Sequence, residues 1–205
     1  MSTALLIVDM QNDFVREGAP ARIAGALATV PRVIELLAAA RAQKWLVVHV
    51  VREYAADASN VELPRRNSFL SAGGYAVAGT AGAEIIAALT PTAGELRLVK
   101  PRFSAFHHTP LHSVLSGKGI SRVVVCGTQY PNCIRATAFD ALSFDYEVIV
   151  AEDATSAQTP EVAQANIVDL RNVGITCLPV AVLVESLCSS SRCAHRVAVL
   201  IESRC

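Results

Sequence analysis

Six short apolar runs, separated by stretches with helical spacing, constrain this chain more than any other feature. Thr3–Val8 runs apolar into Asp9, and the pattern returns at Trp45–Val51, Glu95–Lys100, Arg122–Cys126, Tyr146–Ala151 and Gly174–Leu178. Continuous rather than alternating apolar character is what a parallel strand buried on both faces requires. Between the runs lie helical patterns. A segment from about Ile23 to Gln43 carries Val30, Val33, Ile34, Leu37 and Ala38 at helical spacing, with Pro31 placed in a first turn or at a break. Ala81–Leu89, Pro110–Leu115, Asn132–Ser143 and a segment from Thr159 to about Asn172 follow, the last opened by a hydroxyl cap and Pro160. Strands alternating with helices predict a three-layer α/β/α sandwich, with a six-stranded parallel sheet joined by right-handed crossovers. Residues 52–81 show little periodicity and read as a long surface loop, a length more often functional than idle.

At 205 residues the chain suits one domain, taken here as 1–185, with a tail at 186–205 that does not continue the alternation. Eighteen basic and eighteen acidic side chains balance to zero net charge, which argues against nucleic acid or an anionic membrane as partner. Hydrophobic residues make up 52% of the chain and mean hydropathy is +0.39. Those values fit a doubly covered sheet, or a chain that hides further apolar surface in a homo-oligomer. No apolar run approaches the ~18 residues of a membrane span, and no basic segment precedes the first run, so neither a span nor a signal peptide is expected. Six cysteines without a Cys-x-x-Cys pair, in a chain this rich in core residues, read as free thiols in a reducing, cytoplasmic setting.

The chemistry concentrates at strand ends. Val123-Val-Val-Cys-Gly-Thr-Gln-Tyr-Pro-Asn-Cys133 is a strand that breaks at Gly127, turns through Tyr130-Pro131-Asn132 and resumes as a helix, placing Cys133 where the helix starts. Unpaired N–H groups and the helix dipole favour a thiolate there. An isolated cysteine in such a turn is more often just a small residue. Asp9 ends the first run and Lys100 the third; taken singly, each is more often a cap, a loop anchor or a solvated charge. In an open sheet ordered 3-2-1-4-5-6, ligands gather beyond the carboxyl ends of the strands, where the order reverses. Asp9 and Cys133 then face each other and Lys100 reaches over. A carboxylate can take the thiol proton and return it to a leaving amine, an ammonium steadies both, and amides from Gln129 to Cys133 can hold an oxyanion.

With these residues on the page, the chain resembles the isochorismatase-like cysteine hydrolase superfamily, which includes nicotinamidases, N-carbamoylsarcosine amidohydrolases and ureidoacrylate amidohydrolases. The motifs are Leu5-Leu-Ile-Val-Asp-Met-Gln-Asn-Asp-Phe14, Val99-Lys-Pro-Arg-Phe-Ser-Ala-Phe106 and Val125-Cys-Gly-Thr-Gln-Tyr-Pro-Asn-Cys-Ile-Arg-Ala-Thr-Ala138, within a resemblance covering about residues 3–180. It implies a catalytic triad of Asp9, Lys100 and Cys133, an oxyanion hole from the amides of Gln129 and Cys133, and a cis peptide at Thr128–Gln129. Metal-binding nicotinamidases carry an Asp-x-His pair after the second strand. Here that stretch reads His49-Val-Val-Arg-Glu-Tyr54, and His107 and His108 have no evident partners. No metal and no cofactor are therefore expected, and His49 reads as a strand residue near the site. Tyr130 replaces a usual Thr and is expected to line or trim the pocket.

Substrate contacts are expected from Arg52, Tyr54, Asn60, Glu62, Arg65 and Arg66 among polar residues, and from Phe14, Phe103 and Phe106 among apolar ones. The reading is a metal-independent cysteine hydrolase acting on a small amide, carbamoyl or ureido compound through a thioester. Two alternatives stay open: an isochorismate-type vinyl-ether hydrolase, which Cys133 disfavours, and a non-catalytic binding or scaffold protein that keeps the fold.

Overall fold

The computed structural model describes residues 2–188. β1 (Thr3–Val8) leads into a short helix α1 (Asn12–Val15) and then α2 (Ala26–Ala42). β2 (Leu46–Arg52) is followed by α3 (Arg66–Ser71), and β3 (Leu96–Lys100) by α4 (Leu111–Gly117). β4 (Arg122–Thr128), α5 (Arg135–Ser143), β5 (Glu147–Ser156), α6 (Pro160–Asn172), β6 (Thr176–Leu178) and α7 (Val180–Cys188) complete the order. The strands form one sheet ordered β3-β2-β1-β4-β5-β6, with every neighbouring pair parallel, as the sequence predicts.

Burial on both faces explains the continuous apolar runs. All six residues of β1 are buried, and alternate side chains serve different cores. Leu6, Val8, Val48, Val50, Val123 and Val125 join residues of α4, α5 and α6 in one cluster. Leu5, Ile7, Val47, Val124 and Cys126 join α2 and α7 in the other. Within α2 the buried stripe is Val33, Leu36, Leu37 and Ala40, whereas Ile34 and Ala38 face solvent. Pro31 lies inside the helix, beyond its first turn, on an exposed position where the carbonyl it leaves unbonded can reach water. The cap of α6 is as expected: the Val162 N–H donates to Thr159 Oγ1 at 3.3 Å.

Two segments differ from expectation. The stretch at 81–89 forms two separate 3₁₀ turns, Ala81–Ala83 and Ala87–Leu89, because the chain between them is drawn against β1's exit by the bond from Ile86 N–H to Met10 O. The loop after β2 is not a bare crossing of the surface. Tyr54, Val61, Phe69 and Tyr75 make a third small core, with ring centroids 5.0–5.6 Å apart among the three aromatics. Among the described residues no helix is long and apolar enough to cross a membrane. Helix α7 runs through residue 186 to Cys188, and the rest of the expected tail, 189–205, lies outside the described residues.

Candidate active site

The site forms where β1 and β4 separate. Gly127 is in register with Val8 and sits at φ +114°; a Cβ there would stand 2.2 Å from the Val8 carbonyl oxygen. Only glycine permits that approach. The pairing of β4 with β5 shifts at the same place, the Thr128–Gln129 peptide is cis, and Asp9 leaves β1 at φ +51°. A π-helical turn, Tyr130–Ile134, then carries Cys133 before α5 begins. Cys133 thus lies in the opening turn of a helical segment, two residues ahead of the regular helix. Lys100, the last residue of β3, is in register with Arg52 at the end of β2. Its long side chain crosses beyond β2 to reach the centre.

Lys100 Nζ stands 2.9 Å from Asp9 Oδ2 and 3.3 Å from Cys133 Sγ. It also donates to the Arg102 carbonyl at 3.3 Å and is 0% exposed. Asp9 Oδ1 is buried with no hydrogen-bond partner among the residues around it. A second cation flanks the thiol: Arg52 Nη2 lies 3.8 Å from Cys133 Sγ. Arg52 Nη1 holds Glu62 Oε1 at 2.6 Å and the Pro101 carbonyl at 3.3 Å, while Tyr54 donates its hydroxyl to Glu62 Oε2 at 2.8 Å. Burial opposes the Arg52 charge, but the carboxylates of Asp9 and Glu62 oppose that effect, and the guanidinium is held charged beyond its ordinary range. For Cys133, burial and then the Asp9 charge push the thiol up to about 11, against the opposing pull of Lys100 and Arg52. The resting group is therefore a thiol beside a carboxylate, not a thiolate.

A small pocket of about 40 Å³ opens over Asp9 and Cys133. Of the expected contact residues, Phe14, Arg52, Tyr54, Arg65 and Phe103 line it, as does Gln129. Glu62 acts one step back, through Arg52 and Tyr54. Others are directed elsewhere. Tyr130 is 0% exposed in the core beneath the turn, its hydroxyl donating to the Glu152 carbonyl at 3.2 Å, so it neither lines nor trims the pocket. Phe106 packs against Phe144 and Tyr146 in the core. Arg66 braces the loop through the carbonyls of Val61 and Ser59, and Asn60 does so through Ala55 and Glu53. Sequence reasoning missed Ala21, Ile23, Tyr75, Thr128 and Asn132 on the pocket wall. It also missed Gln11, whose buried amide exchanges two hydrogen bonds with the backbone of Arg52 and donates to the Ala83 carbonyl. Its only signal is its place in the run from Asp9 to Phe14.

These residues do not fit a metal. The stretch after β2 brings a guanidinium and a phenol to the pocket, and Glu53 pairs with Arg97 outside it. His49 is buried mid-strand with Nε2 2.8 Å from Glu95, away from the pocket lining. Among the described residues no group of three or more His, Cys, Asp or Glu is gathered to hold an ion.

The Isochorismatase domain family matches residues 3–182. The chain belongs to that family. It is 46% identical over 177 residues to an Arabidopsis thaliana protein named as a probable inactive nicotinamidase, covering 85% of this chain and 90% of that one. It is 31% identical over 186 residues to the ureidoacrylate amidohydrolase RutB of Klebsiella pneumoniae, covering 79% and 76%. Among solved structures, an isochorismatase family protein from Desulfovibrio vulgaris superposes with a TM-score of 0.88 at 54% identity, over 91% of this chain and 98% of that one. Isochorismatase-family amidohydrolases thus supply the hydrolase class.

Proposed function

We propose that this isochorismatase-family chain hydrolyses a small amide, carbamoyl or ureido compound with Cys133 as nucleophile and without a metal. The observation that carries the reading is the single ammonium of Lys100 within 2.9 Å of Asp9 and 3.3 Å of Cys133 at the floor of a pocket. Asp9 takes the thiol proton as Sγ attacks the carbonyl carbon, and the amides of Gln129 and Cys133 receive the oxyanion. The C–N bond then breaks, Asp9 returns the proton to the leaving nitrogen, and water cleaves the thioester. Lys100 and Arg52 balance the negative charge that passes between Asp9 and sulfur. A raised thiol pKa suits this order, because the proton leaves as the new bond forms rather than beforehand.

The Arabidopsis relative's name favours a second reading, in which the pocket binds such compounds without turning them over. Ammonia release from a panel of small amides and ureides, with and without a chelator, tests both. Turnover that survives chelation and disappears in a folded Cys133→Ala variant supports the hydrolase. Turnover retained in Cys133→Ala removes the mechanism, and binding without turnover by the natural chain selects the second reading.

A further inference from the structure

Four consecutive residues beyond β1 each hold a different point of one returning segment. Gln11 Nε2 donates to the Ala83 carbonyl at 2.6 Å, and Asn12 Nδ2 to the Ala81 carbonyl at 2.7 Å. Asp13 Oδ2 accepts the Ala76 N–H at 2.8 Å, and the Phe14 ring meets that of Tyr75 edge to face, 6.1 Å between centroids. Asp13 stands in the first turn of α1, but that helix has only four residues, and the carboxylate is spent on Ala76 instead. Ala76 is buried at φ +48°, a left-handed conformation that a residue with a side chain keeps only where its surroundings enforce it. Its N–H goes to Asp13 and its carbonyl accepts the Tyr54 N–H at 2.8 Å. Tyr54 and Tyr75, with ring centroids 5.6 Å apart, both line the pocket; Asp13 does not. On the same segment a Cβ at Gly82 would overlap the Asp13 carboxylate. Gly82 has no left-handed φ, so glycine there admits the carboxylate rather than turning the chain.

Resting on the hydrolase reading of this pocket, we propose that Asp13 is a positioning residue that fixes the width of the pocket, and with it the size of compound admitted to Cys133. Its carboxylate holds Ala76, Ala76 holds the backbone of Tyr54, and the two tyrosine rings follow. The second cation at the sulfur is fixed by a separate route. Gln11 exchanges two hydrogen bonds with the backbone of Arg52, while Glu62 and the Pro101 carbonyl take its guanidinium. Loss of Asp13 should therefore widen the pocket without changing the acidity of Cys133.

The test labels Cys133 with iodoacetamide and with the bulkier N-phenylmaleimide, each rate being read from the mass of the Cys133 peptide. Both reagents need the thiolate, so the ratio of their rates cancels acidity and reports access by size. In Asp13→Ala the ratio should move about tenfold towards the larger reagent, the value of a hydrogen bond to a charged group, while the pH midpoint of labelling stays in place. Gly82→Ala should reproduce the shift by displacing the carboxylate. The double variant should go no further than either single one, because the two changes break the same contact. Asp13→Asn keeps an acceptor oxygen and should restore most of the natural ratio. An unchanged ratio in Asp13→Ala, or effects of Asp13→Ala and Gly82→Ala that add in full, overturns the inference. So does labelling of the buried Cys126 and Cys177 that rises in step with Cys133, the mark of general loosening. If Asp13→Ala does not fold, a near-natural ratio in Asp13→Asn beside a shifted one in Gly82→Ala upholds the inference, and any other pair overturns it. On any amide or ureide that is turned over, Asp13→Ala should raise KM more than it lowers kcat; equal loss of kcat and kcat/KM overturns the inference. If none is turned over, the hydrolase reading falls and the labelling ratio still decides.

Discussion

Asp9→Asn should separate the reactivity of Cys133 from turnover, and drive the two in opposite directions. Cys133 is 7% exposed; burial, followed by the Asp9 charge, takes its thiol from 9.0 to about 11. Near neutral pH that leaves roughly a hundredfold less thiolate than an ordinary cysteine would have, each pKa unit being tenfold. Asparagine keeps the size of Asp9 and removes its charge. Lys100 Nζ, at 3.3 Å, then serves the sulfur alone. A like charge in contact changes an acid constant by about ten- to a thousandfold, so the pH midpoint of Cys133 alkylation should drop from about 11 towards about 9. At about pH 8 the Asn variant should react with iodoacetamide about ten- to a hundredfold faster than the natural chain. Turnover should nonetheless fall by about 10²–10⁴, because the general base is gone. Arg52→Gln removes a cation 3.8 Å from the sulfur and should move the midpoint upwards. Pseudo-first-order labelling across the pH range, followed by mass spectrometry of the Cys133 peptide, gives the midpoint independently of access, which alters only the plateau. A midpoint in Asp9→Asn that stays put or rises would refute the reasoning. Asp9 would then not be the charge that keeps the thiol protonated, and proton transfer from Sγ to Asp9 would lose its support.

Two further outcomes follow from the fold. Gly127→Ala places a methyl group 2.2 Å from the Val8 carbonyl oxygen at φ +114° and should cost about 3 kcal/mol or more in urea unfolding; an unchanged unfolding midpoint would show that β1 and β4 can separate freely. Burial would raise the Glu95 carboxyl, but Arg41, His49 and Thr92 outweigh it and hold the group at about 2. A depressed carboxyl stabilises the fold above its ordinary value of 4.5 and loses that contribution as pH falls towards about 2. Glu95→Gln should therefore cost about 1–3 kcal/mol near neutral pH, with the two unfolding curves converging in acid. A gap that persists at about pH 2 would assign the loss to something other than charge.

Local pattern carried the reading a long way because its strongest signals are local. Each apolar run needed only its own residues to be seen as a strand buried on both faces. A parallel sheet brings every carboxyl end to one edge, so Asp9, Lys100 and the Cys133 turn were placed together by topology alone. β5 continues to Ser156, past the end at Ala151 that its apolar run predicts, because Glu152 and Asp153 interrupt that run without ending the strand. The loop after β2 looked structureless because Tyr54, Phe69 and Tyr75 share no period; only their meeting in space makes them a core.

The sequence by itself therefore determined the α/β class, the strand order and the identity of the three residues at the centre of the site. Tertiary structure decided which way side chains turn once the strands end. Tyr130 goes into the core because the π-helical turn directs it towards Glu152 in β5, and Phe106 because an aromatic pair awaits it. Arg52 comes to lie beside the thiol because Glu62, ten residues on, folds back to hold it. Side-chain direction at a turn depends on neighbours distant in the chain. No window of sequence contains them.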